Sequence, residues 1–262
     1  MKQSVNNFTT FASKELTESL RTKKLLVMMC VFVILAIIGV LTARFMGEIF
    51  AALMGAEGAM PIMIEVPPPV WTDSYAQVFS SFTEMGIIAL IMLYMGVILR
   101  EKRTGTIDLM MAKGLSPATF VLSKYAVAAA IALAALFTAV LTAFAYTYVL
   151  FEYAGSIGNV LFGTMSFGVF MLMILAITFL WSTVANSTAM SAVLGLCSFF
   201  AIFLLDFIPV VGRFMPSGLT SYGVALSVGA GQERLGIYVI VAAAIAAISL
   251  WLAVRVLRKR EG

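Results

Sequence analysis

Long apolar stretches separated by short polar segments follow one another along the whole chain. An α-helix needs about 20 apolar residues to cross a hydrocarbon core roughly 30 Å thick, and six stretches meet or approach this length. The predicted spans cover about residues 25–43, 78–99, 119–150, 161–184, 189–208 and 236–254. The pattern therefore predicts an all-α membrane protein in which residues 1–262 form a single domain with six transmembrane helices.

Composition excludes the main alternative, a soluble globular protein. Apolar residues make up 62% of the 262-residue chain and charged residues only 11%, a balance that a water-soluble surface does not allow. The first span is predicted to remain in the mature protein, because its apolar run is too long for a signal peptide and no small-residue cleavage site follows it cleanly.

Lysine and arginine are concentrated on one side of the predicted membrane, as they are in cytoplasmic loops. The N-terminal tail contains five, the segment from Arg100 to Lys124 between and at the start of spans two and three contains five, the C-terminal tail contains four, and the remaining loops contain three. Both termini are therefore predicted to be cytoplasmic. The positive charge would face anionic lipid of a plasma or inner membrane, so no nucleic-acid partner is expected.

Several kinds of chemistry lack the residues that they need. The sequence has no histidine, and its two cysteines, Cys30 and Cys197, fall inside predicted spans, so neither a disulfide nor a zinc or copper–histidine site is expected. No phosphate loop ending in Gly-Lys-Ser/Thr occurs. The 17 methionines could suggest copper(I), but methionine is mostly a flexible core filler. We expect no catalytic, cofactor or metal site on this chain.

The polar segment before the first span, residues 1–24, has helical periodicity. Phe8, Phe11, Leu16 and Leu20 fall on one side of the predicted helix, with Glu15 among the residues of the other side. Arg21 also lies on that polar side. The pattern predicts an amphipathic helix in the inner membrane interface. The alternative is a simple basic anchor ahead of a transmembrane helix.

The loop between the second and third spans, residues 100–118, carries helix start and stop signals. Thr106 can cap a short helix, and Gly114 can adopt the left-handed conformation that ends one. Ser116 and Pro117 then suit the cap and the first position of the following helix.

The short helix predicted in this loop, residues 107–113, has about two turns and would be marginal alone in water. Asp108 and Lys113 suit the two ends of its dipole. Its apolar face consists of Ile107, Met110 and Met111. This face could pack against the protein's own helix ends or into a groove on a soluble partner, and composition does not decide between the two.

The loops on the other side of the membrane, residues 44–77 and 209–235, are longer. Asp73 is predicted to cap the second helix outside the bilayer, and residues 222–226 predict a short external helix. A further short helix on the outer interface is predicted from an apolar stripe formed by Met46, Ile49, Phe50, Leu53 and Met54.

Two carboxylates, Glu84 and Asp206, lie near the outer ends of predicted spans. They could form an outer gate that binds a cation or the headgroup of a transported molecule. The interpretation that we favour from sequence is that they reach outer water or pair with Arg213. Between Lys124 and Asp206, Glu152 is the one acid or base, which argues against an ion-coupled carrier, since such carriers usually keep charges inside their spans.

The loop and the N-terminal segment together resemble a known family. The pattern Glu101-x-x-x-Gly105-Thr106-x-x-x-Met110, followed by Ser116-Pro117 and by Lys124 in the next helix, is similar to that of type-2 (ABC-2) ABC-transporter permeases. The segment Lys14-Glu15-Leu16 with Leu20-Arg21 before the first span resembles the same family. The similarity covers essentially the whole chain.

This resemblance implies a permease subunit that exports an amphipathic or hydrophobic substrate. Residues 105–114 would be a coupling helix on a separate ATPase subunit, which would bind ATP and Mg²⁺. A second permease copy or a homologue would complete a dimer. The alternatives are a non-transporting membrane sensor or anchor, a permease that serves the maturation of copper enzymes, and an ion-coupled carrier.

Overall fold

The computed structural model describes residues 2–55, 68–112, 114–230 and 235–259, and these residues form α-helices joined by short connections, with no β-strand among them. Twelve α-helices occur in this part of the chain. They are α1 (Lys2–Arg21), α2 (Lys24–Gly55), α3 (Trp71–Ser81), α4 (Ile87–Tyr94), α5 (Leu99–Arg103), α6 (Thr106–Ala112), α7 (Pro117–Phe151), α8 (Ile157–Val184), α9 (Thr188–Asp206), α10 (Pro209–Gly212), α11 (Gly218–Ser227) and α12 (Leu235–Arg258).

Six helical segments are long and apolar enough to cross a membrane, which confirms the predicted number of spans. They are Lys24–Ile49, Trp71–Arg103, Pro117–Phe151, Ile157–Val184, Thr188–Asp206 and Leu235–Arg258. The protein is therefore a multi-pass, all-helical membrane protein by the length and composition of its helices.

The prediction of a separate interfacial helix, made from the apolar stripe between Met46 and Met54, is wrong. Helix α2 runs without a break from Lys24 to Gly55, about 48 Å at 1.5 Å per residue. No proline or glycine pair interrupts it before Gly55, and the apolar stripe simply continues the helix beyond the predicted end of the first span at residue 43.

The second span contains an irregular turn that the sequence analysis did not predict. Between α3 and α4 the backbone forms a π-helical segment, Phe82–Gly86. The predicted cap is also corrected, because Val70 precedes the first turn and Asp73 is its third helical residue. The Asp73 carboxylate accepts a hydrogen bond from the Val70 backbone N–H at 3.0 Å, so it still satisfies a free donor at the helix start.

Helix α8 is the centre of the bundle. Within its most apolar stretch 72% of the residues are buried, against 28% in α2 and in α9 and 22% in α12. The helix predicted at residues 222–226 is confirmed as α11, and it packs against α8. The Ser166 hydroxyl donates to the Leu219 carbonyl at 3.1 Å, which joins the two helices.

Contacts between helix ends define two ends of the bundle. At the basic end, α1, α5, α6, the start of α7 and the α8–α9 turn come together. At the opposite end, the Tyr75 hydroxyl donates to the Ala154 carbonyl at 2.7 Å and Trp71 packs on Tyr153. Most of the described lysines and arginines lie toward the basic end, while Arg44 and Arg213 lie toward the opposite one.

Helices α8 and α11 cross at Gly163 with almost no space between their backbones. A Cβ atom at Gly163 would overlap the Gly223 carbonyl oxygen and the Ser227 hydroxyl. At Gly158, one and a half turns earlier in α8, the nearest atom to such a Cβ is the Ser156 hydroxyl at 3.7 Å. Small residues at such crossings allow close packing of membrane helices.

We therefore expect Gly163→Ala to destabilise the protein by about 1–3 kcal/mol, because the new methyl group overpacks the contact with α11. The matched variant Gly158→Ala should be neutral or stabilising by up to about 1 kcal/mol, since alanine favours the helical state. Thermal unfolding midpoints in one detergent compare the two variants. Equal midpoints would show that α8 and α11 do not pack as described.

Candidate functional site

Three helices of the basic end are joined by one buried lysine. The Lys124 ammonium lies 2.7 Å from Glu15 Oε2 in α1 and 2.5 Å from Glu101 Oε1 in α5. The exposed fraction of the Lys124 side chain is 3%, and those of Glu15 and Glu101 are 8% and 17%. We call these three residues the ion cluster. It connects the N-terminal helix, the end of the second span and the start of the third.

Aromatic rings shield the ion cluster on the side of α1 and α7. The Lys124 ammonium is 5.9 Å from the centre of the Phe11 ring and 5.4 Å from that of Phe120. The two rings also contact each other, with centroids 5.7 Å apart. Cation–π attraction and exclusion of water both strengthen the hold on the ammonium group.

On its other side the ion cluster borders a cavity of about 300 Å³ lined by further charges, those of Glu18, Lys24 and Arg100. One carboxylate oxygen from each of Glu15, Glu18 and Glu101 lies within 4.8 Å of the others, a spacing that a metal ion could bridge. Here the Lys124 ammonium already contacts two of the three carboxylates.

The loop helix begins one residue earlier than predicted and ends one residue earlier, at Thr106–Ala112. Its C-terminus is closed by two hydrogen bonds, from the Gly114 N–H to the Met111 carbonyl and from the Leu115 N–H to the Met110 carbonyl. Gly114 has φ +86°, as predicted for the residue that ends the helix. Gly105, with φ +68°, provides a second left-handed turn ahead of α6.

The restart of the chain as α7 also follows the prediction. Ser116 is the N-cap, its hydroxyl accepts a hydrogen bond from the Thr119 N–H at 3.1 Å, and Pro117 is the first helical residue. Only the short turn from Gly114 to Ser116 therefore separates the end of the loop helix from the start of the third span. The side chain of Asp108 and residue Lys113, both assigned to the helix dipole from sequence, lie outside the described residues.

The apolar face of α6 packs inside this protein. Ile107 is only 4% exposed, and Met110 and Met111 are half-buried against the core. The sequence left open whether this face packs on the protein's own helix ends or in a groove of a partner. The structure shows that it packs on the protein's own helices. Leu109, on another side of α6, is 60% exposed. A partner at this loop would therefore contact Leu109 rather than the three residues predicted from sequence.

Polar contacts also attach the loop to the turn between the fourth and fifth spans. The Arg103 guanidinium donates to the Asn186 carbonyl at 2.7 Å, and the Lys102 ammonium donates to the Thr183 carbonyl at 3.3 Å. Where the second span ends, the Ser182 hydroxyl accepts from the Ile98 N–H at 3.0 Å and from the Leu99 N–H. These hydrogen bonds join the end of the second span and α5 to the end of α8 and to the α8–α9 turn.

The N-terminal helix exists as predicted, but its buried face differs. Phe11, Glu15 and Ser19 are buried, whereas Leu16 and Leu20 are 43% and 50% exposed. Glu15, placed on the polar side from sequence, points inward because Lys124 pairs with it. The exposed leucines remain available to lipid, and Arg21 is exposed. The side chain of Phe8 lies outside the described residues.

Toward the opposite end a groove lies between α3, the π-helical segment, α9 and α11. It encloses about 560 Å³ and is lined by apolar and hydroxyl side chains together with Glu84. We call it the lateral groove. Of the two carboxylates predicted as an outer gate, Glu84 lines the groove, whereas Asp206 is exposed at the end of α9 and is not part of the lining. Neither carboxylate forms an ion pair with Arg213, although all three residues are described.

Sequence reasoning missed the role of one residue and omitted another. Lys124 was identified as a cytoplasmic cation and as part of the family pattern, but its pairing with Glu15 and Glu101 was not predicted. Its position close to the apolar Phe120 and Val121 is the signal that this charge needs partners. Leu109 was omitted because the apolar face was assigned by periodicity alone. A comparison with known protein families and with curated proteins found no match to this chain.

Proposed function

We propose that this chain is the membrane-spanning permease subunit of an ATP-binding-cassette transporter of the ABC-2 type, and that a separate ATPase subunit drives it. The observation that carries the proposal is the ion cluster. It ties together the two segments, around Glu15 and Glu101, on which the resemblance to ABC-2 permeases rests, and it does so through Lys124, the last residue of that pattern.

The mechanism follows from how the loop is attached. Helix α6 is joined to the third span by the Gly114–Ser116 turn. Helix α5, which precedes α6, is joined to the third span and to the N-terminal helix by the Glu101–Lys124–Glu15 contacts. Arg103, the last residue of α5, also joins α5 to the α8–α9 turn. When the ATPase subunits close on ATP and Mg²⁺, a displacement of α6 moves these helices together. The spans then alternate between access to one side and to the other.

The charge distribution supports an orientation with the basic end in the cytoplasm. Membrane proteins keep lysine and arginine on that side, and the ion cluster and α6 lie at the basic end of this protein. The exposed Leu109 and the two-turn α6 would then face the compartment that supplies ATP. Both termini would be cytoplasmic, and the second permease of the pair would be another copy of this chain or a homologue.

Affinity purification of the tagged protein in mild detergent tests the proposal. We expect a nucleotide-binding subunit to co-purify with the wild-type protein. Leu109→Asp should remove most of this partner, because it places a charge in the centre of the proposed contact, without changing insertion into the membrane.

The matched control is Val210→Asp, since Val210 is 75% exposed but lies toward the opposite end. This control should retain the partner. If both variants lost the nucleotide-binding subunit equally, the loss would reflect misfolding and not a contact at Leu109. Purification of the wild-type protein without any nucleotide-binding subunit would refute the proposal.

A further inference from the structure

The lateral groove has a lining suited to a small amphipathic molecule. Phe199, Phe200 and Phe203 form one continuous aromatic wall, with ring centroids of Phe199 5.3 and 5.2 Å from those of the other two. Phe200 is 54% exposed and Met85, on the facing side, is 59% exposed, so the groove opens outward from the bundle. A volume of about 560 Å³ falls within the range of drug-sized binding sites.

Glu84 is the one charged residue of this lining. Its carboxylate accepts a hydrogen bond from the Ser80 hydroxyl at 3.0 Å, and no described lysine or arginine pairs with it. A carboxylate within an apolar span is unfavourable unless a cation or a polar cavity accompanies it, and such residues usually serve function. Charge complementarity therefore favours a cationic occupant.

The backbone is irregular at the same position. Glu84 lies in the π-helical segment Phe82–Gly86, where the extra residue per turn changes the direction of the side chains. Insertions of this kind are frequent at functional sites. Thr83, in the same segment, also lines the groove, and its hydroxyl is engaged with the Phe79 carbonyl at 2.8 Å.

We propose that the lateral groove binds hydrophobic monovalent organic cations, with Glu84 balancing the charge and the three phenylalanines holding the apolar body. Aromatic faces attract organic cations as well as apolar groups, which adds to the pairing with the carboxylate. This inference rests on the proposed function in one respect, since it names the class of molecule that the permease would carry. Binding itself needs no ATPase subunit.

Two probes of the same shape and opposite charge test the inference. Tetraphenylphosphonium is a hydrophobic cation and tetraphenylborate is the corresponding anion. Their binding is measured by equilibrium dialysis on the purified protein in nanodiscs, with empty nanodiscs subtracted. The variants are Glu84→Gln, Phe200→Ala and the control Glu48→Gln, an exposed carboxylate of α2 that does not line the groove.

We expect Glu84→Gln to weaken binding of the cation about tenfold, as the loss of one ion pair of about 1.4 kcal/mol implies, without weakening binding of the anion. Phe200→Ala should weaken binding of the cation because it removes part of the aromatic wall, and Glu48→Gln should change nothing. A cation affinity of Glu84→Gln within twofold of the wild type would overturn the inference. Failure of the wild-type protein to bind the cation would overturn it equally.

A second copy of the chain seated on the groove is the competing occupant. Met85→Cys, in a background with Cys30→Ser and Cys197→Ser, would then form a disulfide between chains on oxidation, and the cation would not bind. That result would contradict a ligand site. The outcomes are separable from failure of the proposed function, because a missing ATPase partner leaves cation binding unchanged and absent cation binding leaves the co-purification unchanged.

Discussion

Replacing Lys124 with methionine is expected to lower the free energy of unfolding by about 3–5 kcal/mol, the usual result of removing one partner of a buried ion pair. Methionine has similar length but no charge, so the Glu15 and Glu101 carboxylates would face each other in an environment that is almost closed to water. The measurement is reversible unfolding in mixed micelles, followed by circular dichroism.

Two further variants separate the charge effect from a packing effect. Lys259→Met changes an exposed lysine at the end of α12 and should leave stability unchanged. Replacement of Glu15, Glu101 and Lys124 together by methionine should recover most of the loss, because an apolar core of similar volume avoids the uncompensated charge. A triple variant as unstable as Lys124→Met would contradict the electrostatic account of the cluster.

Replacing residues 106–113 by a flexible glycine–serine segment of equal length is expected to reduce transport to background. The linker keeps the connection between α5 and α7 but removes the helix that would receive the motion of the ATPase. Insertion should remain normal, because the six spans are unaltered. Transport of a substrate into inverted membrane vesicles measures the effect, and the amount of protein in the membrane provides the control.

Some loss of stability accompanies this replacement, since Ile107 is buried against the core. A variant that keeps Ile107, Met110 and Met111 and changes only Leu109 to aspartate separates the two contributions. It should retain the thermal unfolding midpoint of the wild type and still lose transport. Substantial transport by the linker variant would show that energy does not enter through α6.

Local signals in the sequence predicted the parts of the site that depend on near neighbours. The capping of α7 by Ser116, the left-handed Gly114 and the end of α6 just before Gly114 follow from residues that are close together in the sequence. The number of spans likewise depends on runs of apolar residues that are visible directly. Each of these features is fixed by short-range backbone chemistry, which a single sequence displays.

The ion cluster could not be predicted in the same way. Lys124 and Glu15 are 109 residues apart, and the residues around each of them do not indicate that the two side chains form a pair. Glu15 lies among polar residues in α1, so the periodicity predicted an exposed side chain. In the structure the side chain is buried, where it pairs with Lys124. The apolar face of α6 shows the same limit, because its pattern predicted burial but not which surface covers it.

The central claim is that energy from a separate ATPase reaches the spans through α6 and the ion cluster. Its most direct test is reconstitution of the purified chain into proteoliposomes, with and without the co-purified nucleotide-binding subunit, and measurement of ATP-dependent flux of tetraphenylphosphonium or of the native substrate once it is known. We predict flux only when both the subunit and ATP are present, and none with Leu109→Asp. Equal flux by the chain alone would contradict the account.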